Sequence, residues 1–323
     1  MSVEMVDIND VLLNDSFFSL QDYILESSAE PSCQLSSFHS LGILYPIIVY
    51  RDRKKQLHLI DGVKRIQHAK VTQQKKINAM ILPEKTPVTD IISLILCNKR
   101  HEIESSIINK VQSICFAISL NAPDSWIMDA LCFSFDFKPH SEFLRECERV
   151  YNLPREIKQF CHDKKISLKQ IVNFTYYPRE LLETLMEWKS VLQLTASTLD
   201  EIASNINDYM KRENKKVDDL LAEPEVQEIF DSSLSPREKT EQFRQLLHLR
   251  KFPLLSASNS RIEESVKLTN LPREVKINWD RTLENKKLDI NILINDPLKW
   301  SKILAALQSD ELKTAIESIL DEL

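Results

Sequence analysis

Two basic residues stand where a helix ordinarily repels cations. Lys64 and Arg65 follow Gly62 and an alternating apolar run, at the start of VKRIQHAKV, a segment with helical character. The first turn of a helix presents free backbone amides and the positive end of the dipole, which disfavours Lys and Arg there. Gly62, Lys64 and Arg65 together suit a bound anion such as a phosphate. A pair of solvated cations gives the same pattern. The surrounding segment is basic: residues 51–76 hold nine Lys and Arg against two Asp, a surplus of +7 in a chain of net charge −6. A solvated hairpin tip accounts for Arg51 to Lys55. No Asp, Glu and His cluster shows metal-ligand spacing, and the six Cys, at 33, 97, 115, 132, 147 and 161, include no CxxC pair. Most lie in apolar runs, so free core thiols in a reducing cytosol are expected, with neither a zinc site nor a disulfide framework.

The elements that position these residues are helix-dominated. The chain of 323 residues allows two or three domains, and 43% hydrophobic with 28% charged residues reads as soluble and globular. Only two glycines occur, Gly42 and Gly62, which excludes folds built on repeated Gly-rich phosphate loops. Residues 1–100 read as an α+β unit. Pro46–Tyr50 and QLHLI form a hairpin, VKRIQHAKV a helix, INAMIL a strand and TDIISLILCNKR a second helix. Residues 101–212 read as all-α. Ile107, Val111, Ile114 and Ile118 share one helical face, and Pro123 opens a second helix with Ile127, Ala130, Leu131 and Ser134 inward. Phe137-Lys138-Pro139 breaks the pattern, and a helix from about His140 to Tyr151 buries Phe143, Cys147 and Val150. Two helices around a tight break have the spacing of a helix-turn-helix, and equally of an ordinary helical hairpin. Residues 213–323 read as a small α+β domain of unassigned role. It has helices near 222–230 and 235–250, a loop through Pro253 and SASNS, and a hairpin of Val275-Ile277-Trp279 with Leu288-Ile290-Ile292. Two closing helices carry Leu298, Ile303, Leu304 and Leu307, then Leu312, Ile316, Ile319 and Leu320. No run of about 18 apolar residues appears, so no membrane span is expected. The opening MSVEMVDINDV lacks the basic start of a secretory signal.

The segment LGILYPIIVYRDRKKQLHLIDGVKRIQHAK resembles the N-terminal domain of the ParB partition-protein family, with Gly42, Pro46, Ile47, Val49, Ile60, Gly62, Arg65 and Ala69 in register. VDINDVLLNDSFF upstream resembles the family's opening strand and loop. LPREIKQFCHDKKISLKQI, at 153–171, resembles the stretch after its helix-turn-helix. The resemblance spans about residues 5–210; beyond 215 nothing matches the family's dimerisation tail. It implies a cytoplasmic, nucleoid-associated DNA-binding homodimer, acting in partition or transcription regulation, with a partner ATPase of unknown identity.

In that family CTP binds with a divalent metal. The resemblance assigns nucleotide binding to Gly62, Lys64, Arg65 and Arg100. Val63 replaces the Glu of the family's box, and Leu96 and Cys97 replace a Glu and an Asn. Valine neither orients a water nor holds a metal, so CTP binding without efficient hydrolysis is expected, with no catalytic residue and no metal site assigned. Sulfiredoxin, of the same fold class, carries a nucleophilic Cys where Val63 stands, which excludes that reductase chemistry. Nuclease chemistry lacks its metal-holding carboxylates. The second helix of the pair becomes the expected DNA reader, through Lys138, His140, Ser141, Arg145 and Arg149. Arg makes bidentate contacts to guanine. Glu142, Glu146 and Glu148 share that helix, and pairing with them on a solvated surface is the competing reading. A CTP-hydrolysing clamp enzyme and a degenerate protein-interaction adaptor are the alternatives.

Overall fold

The computed structural model describes residues 2–12, 18–20, 25, 42–294, 296 and 299–323. Cys33, Leu298 and residues 13–17 of the opening loop lie outside them. Contacts divide the chain into two units, residues 1–190 with 194–203, and residues 191–193 with 204–323. Among the described residues helices dominate, and the sheets are confined to the start of the first unit and the later part of the second.

The first unit begins with strands β1 (Ser2–Asp7), β2 (Val11–Leu12), β3 (Ile47–Arg51) and β4 (Leu57–Asp61), then helix α1 (Val63–Val71) and strand β5 (Lys76–Leu82). The sheet order is β1-β5-β3-β4-β2. β3 and β4 form the expected antiparallel hairpin, while β5 returns parallel to β3 on its other side. Alternation explains the packing: Ile47, Val49, Ile77, Ala79 and Ile81 point to one face, where they meet Ile66 and Ala69 of α1. Because α1 runs straight on from β4, this core fixes the position of its first turn.

Helices α2 (Val88–Asn98) and α3 (Arg100–Glu104) lead to α4 (Ile107–Ser119), which forms the centre of the helical region. The spacing predicts a one-sided α4, but burial runs from Ile108 round to Ala117, and Ile107 and Ile118 are only partly covered. The reason is its position: α3 and the three helices that follow pack around it. Buried Asn109 is satisfied there, accepting from the Leu25 amide at 2.9 Å and donating to the Glu102 carbonyl at 2.8 Å.

Helix α5 starts as Asp124–Trp126, passes through a π-turn at Ile127–Leu131 and ends as Cys132–Ser134. The π-turn adds a residue to one turn and shifts the phase. Ile127, Leu131 and Cys132 are buried, whereas Ala130 and Ser134, expected inward, face solvent. Then come α6 (Phe143–Tyr151), α7 (Arg155–Asp163), α8 (Leu168–Phe174), α9 (Arg179–Glu187) and α10 (Ala196–Glu213), whose residues to 203 belong to this unit.

The second unit holds α11 (Val217–Leu221), α12 (Pro224–Asp231), α13 (Pro236–Lys251), α14 (Pro253–Leu268), β6 (Val275–Trp279), β7 (Leu288–Ile292), α15 (Trp300–Leu307) and α16 (Asp310–Glu322). The expected loop at 253–260 is the first half of α14. Pro253 sits in its first turn, where a missing amide costs nothing. β6 and β7 pair antiparallel as expected, with Ile277 opposite Ile290. Their apolar face rests on Ile262 of α14 and on Ile319 and Leu323.

Candidate functional site

At the end of β4 the backbone turns through Gly62 at φ +115°, a conformation that L side chains rarely adopt. The position is also crowded: a Cβ there would lie 2.7 Å from Cγ2 of Ile47. Gly62 is thus demanded by the fold, whatever else it serves. The helix begins at once, with the Ile66 amide donating to the Gly62 carbonyl at 3.0 Å.

The predicted anion ligands divide. Lys64 is exposed on the first turn of α1. Arg65, expected to be exposed, is only 20% so, because the fold uses its guanidinium. One nitrogen donates to the Pro46 carbonyl, and the other pairs with Asp61 at 2.5 Å. Arg65 therefore ties the segment entering β3 to the end of β4. Arg100 belongs to a different ion pair, bonding Glu104 at 2.7 Å on the surface of α3. That hydrogen bond and the attached negative charge hold the Arg100 guanidinium above its ordinary pKa. Arg65 and Arg100 are thus each committed to a separate carboxylate. Val63, at the acid position of the family's box, is apolar. Among the described residues no group of three His, Cys, Asp or Glu side chains is placed to hold a metal.

The helical region gives the second candidate surface. Phe137 and Phe143 pack with ring centres 5.4 Å apart and planes tilted by 55° across the turn before α6, and Asp136 takes the left-handed conformation within it at φ +62°. The turn runs longer than expected, so α6 begins at Phe143 and not at His140; the Phe143 amide reaches back to the His140 carbonyl at 3.0 Å. Phe143, Cys147 and Val150 are buried as predicted, and α6 packs on α4. Lys138, His140, Ser141, Arg145 and Arg149 are all exposed.

Most of that stripe is internally paired. His140 lies 3.2 Å from Glu146, and Arg145 lies 3.0 Å from Glu142. Arg149 is 3.9 Å from Glu146 and donates to the Tyr176 hydroxyl at 3.2 Å, with its guanidinium carbon 5.0 Å from the centre of that ring. Tyr176 is a surface neighbour that spacing on α6 alone does not disclose. Its signal in the sequence is only an aromatic pair, Tyr176-Tyr177, before Pro178.

No family model matches the sequence, and no curated protein matches it. Among solved structures, a similar chain is the C-terminally truncated chromosome-partitioning protein ParB from Caulobacter crescentus complexed with CTP-gamma-S. It is 12% identical, with a TM-score of 0.24, over 58% of this chain and 99% of that one.

Chemically, these surfaces offer binding groups and no assembled nucleophile. Burial pushes the Cys115 and Cys161 thiols up to about 12 and Cys132 to about 11, and it raises Cys147 further still. Neutral thiols of that kind do not attack substrates near pH 7. No helix among the described residues is long and apolar enough to cross a membrane.

Proposed function

We propose that this chain is a ParB-like DNA-binding protein that reads duplex DNA with the outer stripe of α6 and acts as a homodimer. The observation that carries the reading is the division of α6 into a buried Phe143-Cys147-Val150 face and an exposed Arg145-Arg149 face, after a turn with a left-handed Asp136. The order of the family-like segments on either side supports it. The existing ion pairs do not oppose it on energetic grounds. Exposed i,i+3 pairs contribute about 0.2–1 kcal/mol, whereas a bidentate Arg–guanine contact discriminates by about 1–3 kcal/mol. Exchanging Glu142 for a base edge is then favourable for Arg145.

Nucleotide binding through Gly62, Lys64, Arg65 and Arg100 is the second half of this reading. An incoming CTP phosphate has to displace Asp61 and the Pro46 carbonyl from Arg65, and no hydrolysis is proposed with Val63 in the box. One observation favours a second reading, a protein-interaction adaptor: His140, Arg145 and Arg149 all have carboxylate partners already. Fluorescence anisotropy with duplexes selected from genomic DNA separates the two. Arg145→Ala is expected to relax discrimination at one base by roughly five- to 150-fold, the equivalent of about 1–3 kcal/mol. Equal affinity and equal base preference in Arg145→Ala, Arg149→Ala and the parent protein would leave the adaptor.

A further inference from the structure

A second basic surface of the first unit lies at the turn between α7 and α8. α7 ends at Asp163, and the chain reaches α8 through Lys164, Lys165, Ile166 and Ser167. Ile166 is buried, and its amide is held by the Cys161 carbonyl at 3.0 Å. Lys165 adopts φ +51°, with its own amide bonded to the His162 carbonyl at 3.2 Å. This pinned turn holds Lys164 and Lys165 outward, and both are exposed. Within α8, Ile171, Val172 and Phe174 face the core. On the other side Lys169 and Asn173 stand four residues apart, Tyr176 follows in the turn just past the end of α8, and all three are exposed.

Among the described residues no carboxylate lies within ion-pair distance of Lys164, Lys165 or Lys169. Asp163, next in sequence, accepts from the Gln159 amide at 2.8 Å instead. The arginines on α6 are paired; these lysines are not. The ridge is also continuous with α6, because Tyr176 at its far end receives Arg149. Lysine ammonium groups are compact, hydrated point charges that contact phosphate oxygens without reading sequence. Asn and Tyr side chains serve the same backbone contacts.

We infer that Lys164, Lys165 and Lys169 form a phosphate-backbone site for duplex DNA, continued by Asn173 and Tyr176 toward the α6 stripe. The inference deepens the DNA-binding reading of α6 and rests on it. It assigns separate duties: α6 discriminates bases, and the α7–α8 turn supplies affinity that is blind to sequence.

The test uses the full chain, two fluorescent 24-base-pair duplexes, one selected from genomic DNA for binding and one of mixed sequence, and a salt series. The triple variant Lys164→Gln, Lys165→Gln, Lys169→Gln is compared with the parent, with Arg145→Ala and with Arg149→Ala, each checked for parental circular dichroism. Each phosphate contact contributes about 0.9 to the slope of log affinity against log salt, so the triple variant should flatten that slope by roughly 2–3 and weaken all sequences alike. A parental slope in the triple variant overturns the site while leaving the α6 reading intact, provided the α6 variants lose discrimination. A flattened slope in the triple variant, with silent α6 variants, supports the site and removes the α6 reader. Parent protein that ignores duplex DNA at low salt, or that binds poly-glutamate through these lysines in its place, overturns both and points to an acidic protein partner.

Discussion

Replacing Gly62 with alanine is the sharpest test of how the N-terminal unit is built. Two separate costs apply. The backbone sits at φ +115°, where a residue bearing a Cβ is strained by about 1–3 kcal/mol. The new methyl would also lie 2.7 Å from Cγ2 and 3.1 Å from Cβ of Ile47, a β-branched residue of the central strand with no exposed surface. Ile47 is fully buried within the core cluster, so overpacking adds typically about 1–3 kcal/mol. Partial relaxation shares the strain, and a total of about 2–4 kcal/mol is expected, within a whole-domain stability of about 5–15 kcal/mol. Native-state hydrogen exchange of the β3 and α1 amides reads this locally, without assuming that both units unfold together. At about 1.4 kcal/mol per tenfold, protection should fall by roughly 30- to 1,000-fold in Gly62→Ala. Exchange within threefold of the parent at those amides would show that neither the torsion nor the Ile47 contact constrains this position.

Three other expectations rest on pairing and burial elsewhere in the chain. Arg65→Ala leaves the Pro46 carbonyl and the Asp61 carboxylate without their donor, a loss of about 1–3 kcal/mol for part-buried groups. A double-mutant cycle with Asp61→Asn, followed by urea unfolding, should give a coupling above about 0.5 kcal/mol, and strict additivity would refute the pairing. Among Cys97, Cys115, Cys132, Cys147 and Cys161, the exposed Cys97 should be alkylated first by iodoacetamide at pH 7, and peptide mass spectrometry that finds Cys147 modified as fast would contradict its burial. Because burial raises the native thiols, their contribution to stability is complete below the unfolded pKa of about 8.5. It is lost as pH rises toward the native values of about 12 for Cys115 and Cys161, since the unfolded chain sheds those protons first. Unfolding midpoints independent of pH between 8 and 10 would contradict this linkage.

What the sequence disclosed and what it hid divide by how far each feature reaches along the chain. The Phe143-Cys147-Val150 stripe of α6 and the alternation in 275–279 and 288–292 were legible because each pattern belongs to one element. A 3.6-residue period places Ala130 and Ser134 inward, and the π-turn at Ile127–Leu131 changes that period. The sequence suggests a loop through Pro253 and SASNS where α14 begins, because proline's meaning depends on which helical turn it occupies. Asp61 stands four residues before Arg65, so that pair was open to inspection. The Pro46 carbonyl, 19 residues away in sequence, was not. Which lysines lack partners is legible only in three dimensions, since a missing neighbour leaves no mark on the sequence.

The β6–β7 ribbon carries a consequence for truncation. Two strands alone are marginal in water, and here their apolar face depends on Ile262, Ile319 and Leu323. Ile290 and Ile292 are already more than a third exposed on β7, an edge strand whose one charged side chain is Asp289. Cutting the chain at Ser318 would strip away Ile319 and Leu323 and leave residues 275–294 as a sticky, half-covered tongue. Shortened versions of this protein would then be recognised by clumping before any loss of binding was noticed, through damage inflicted some thirty residues upstream of the cut.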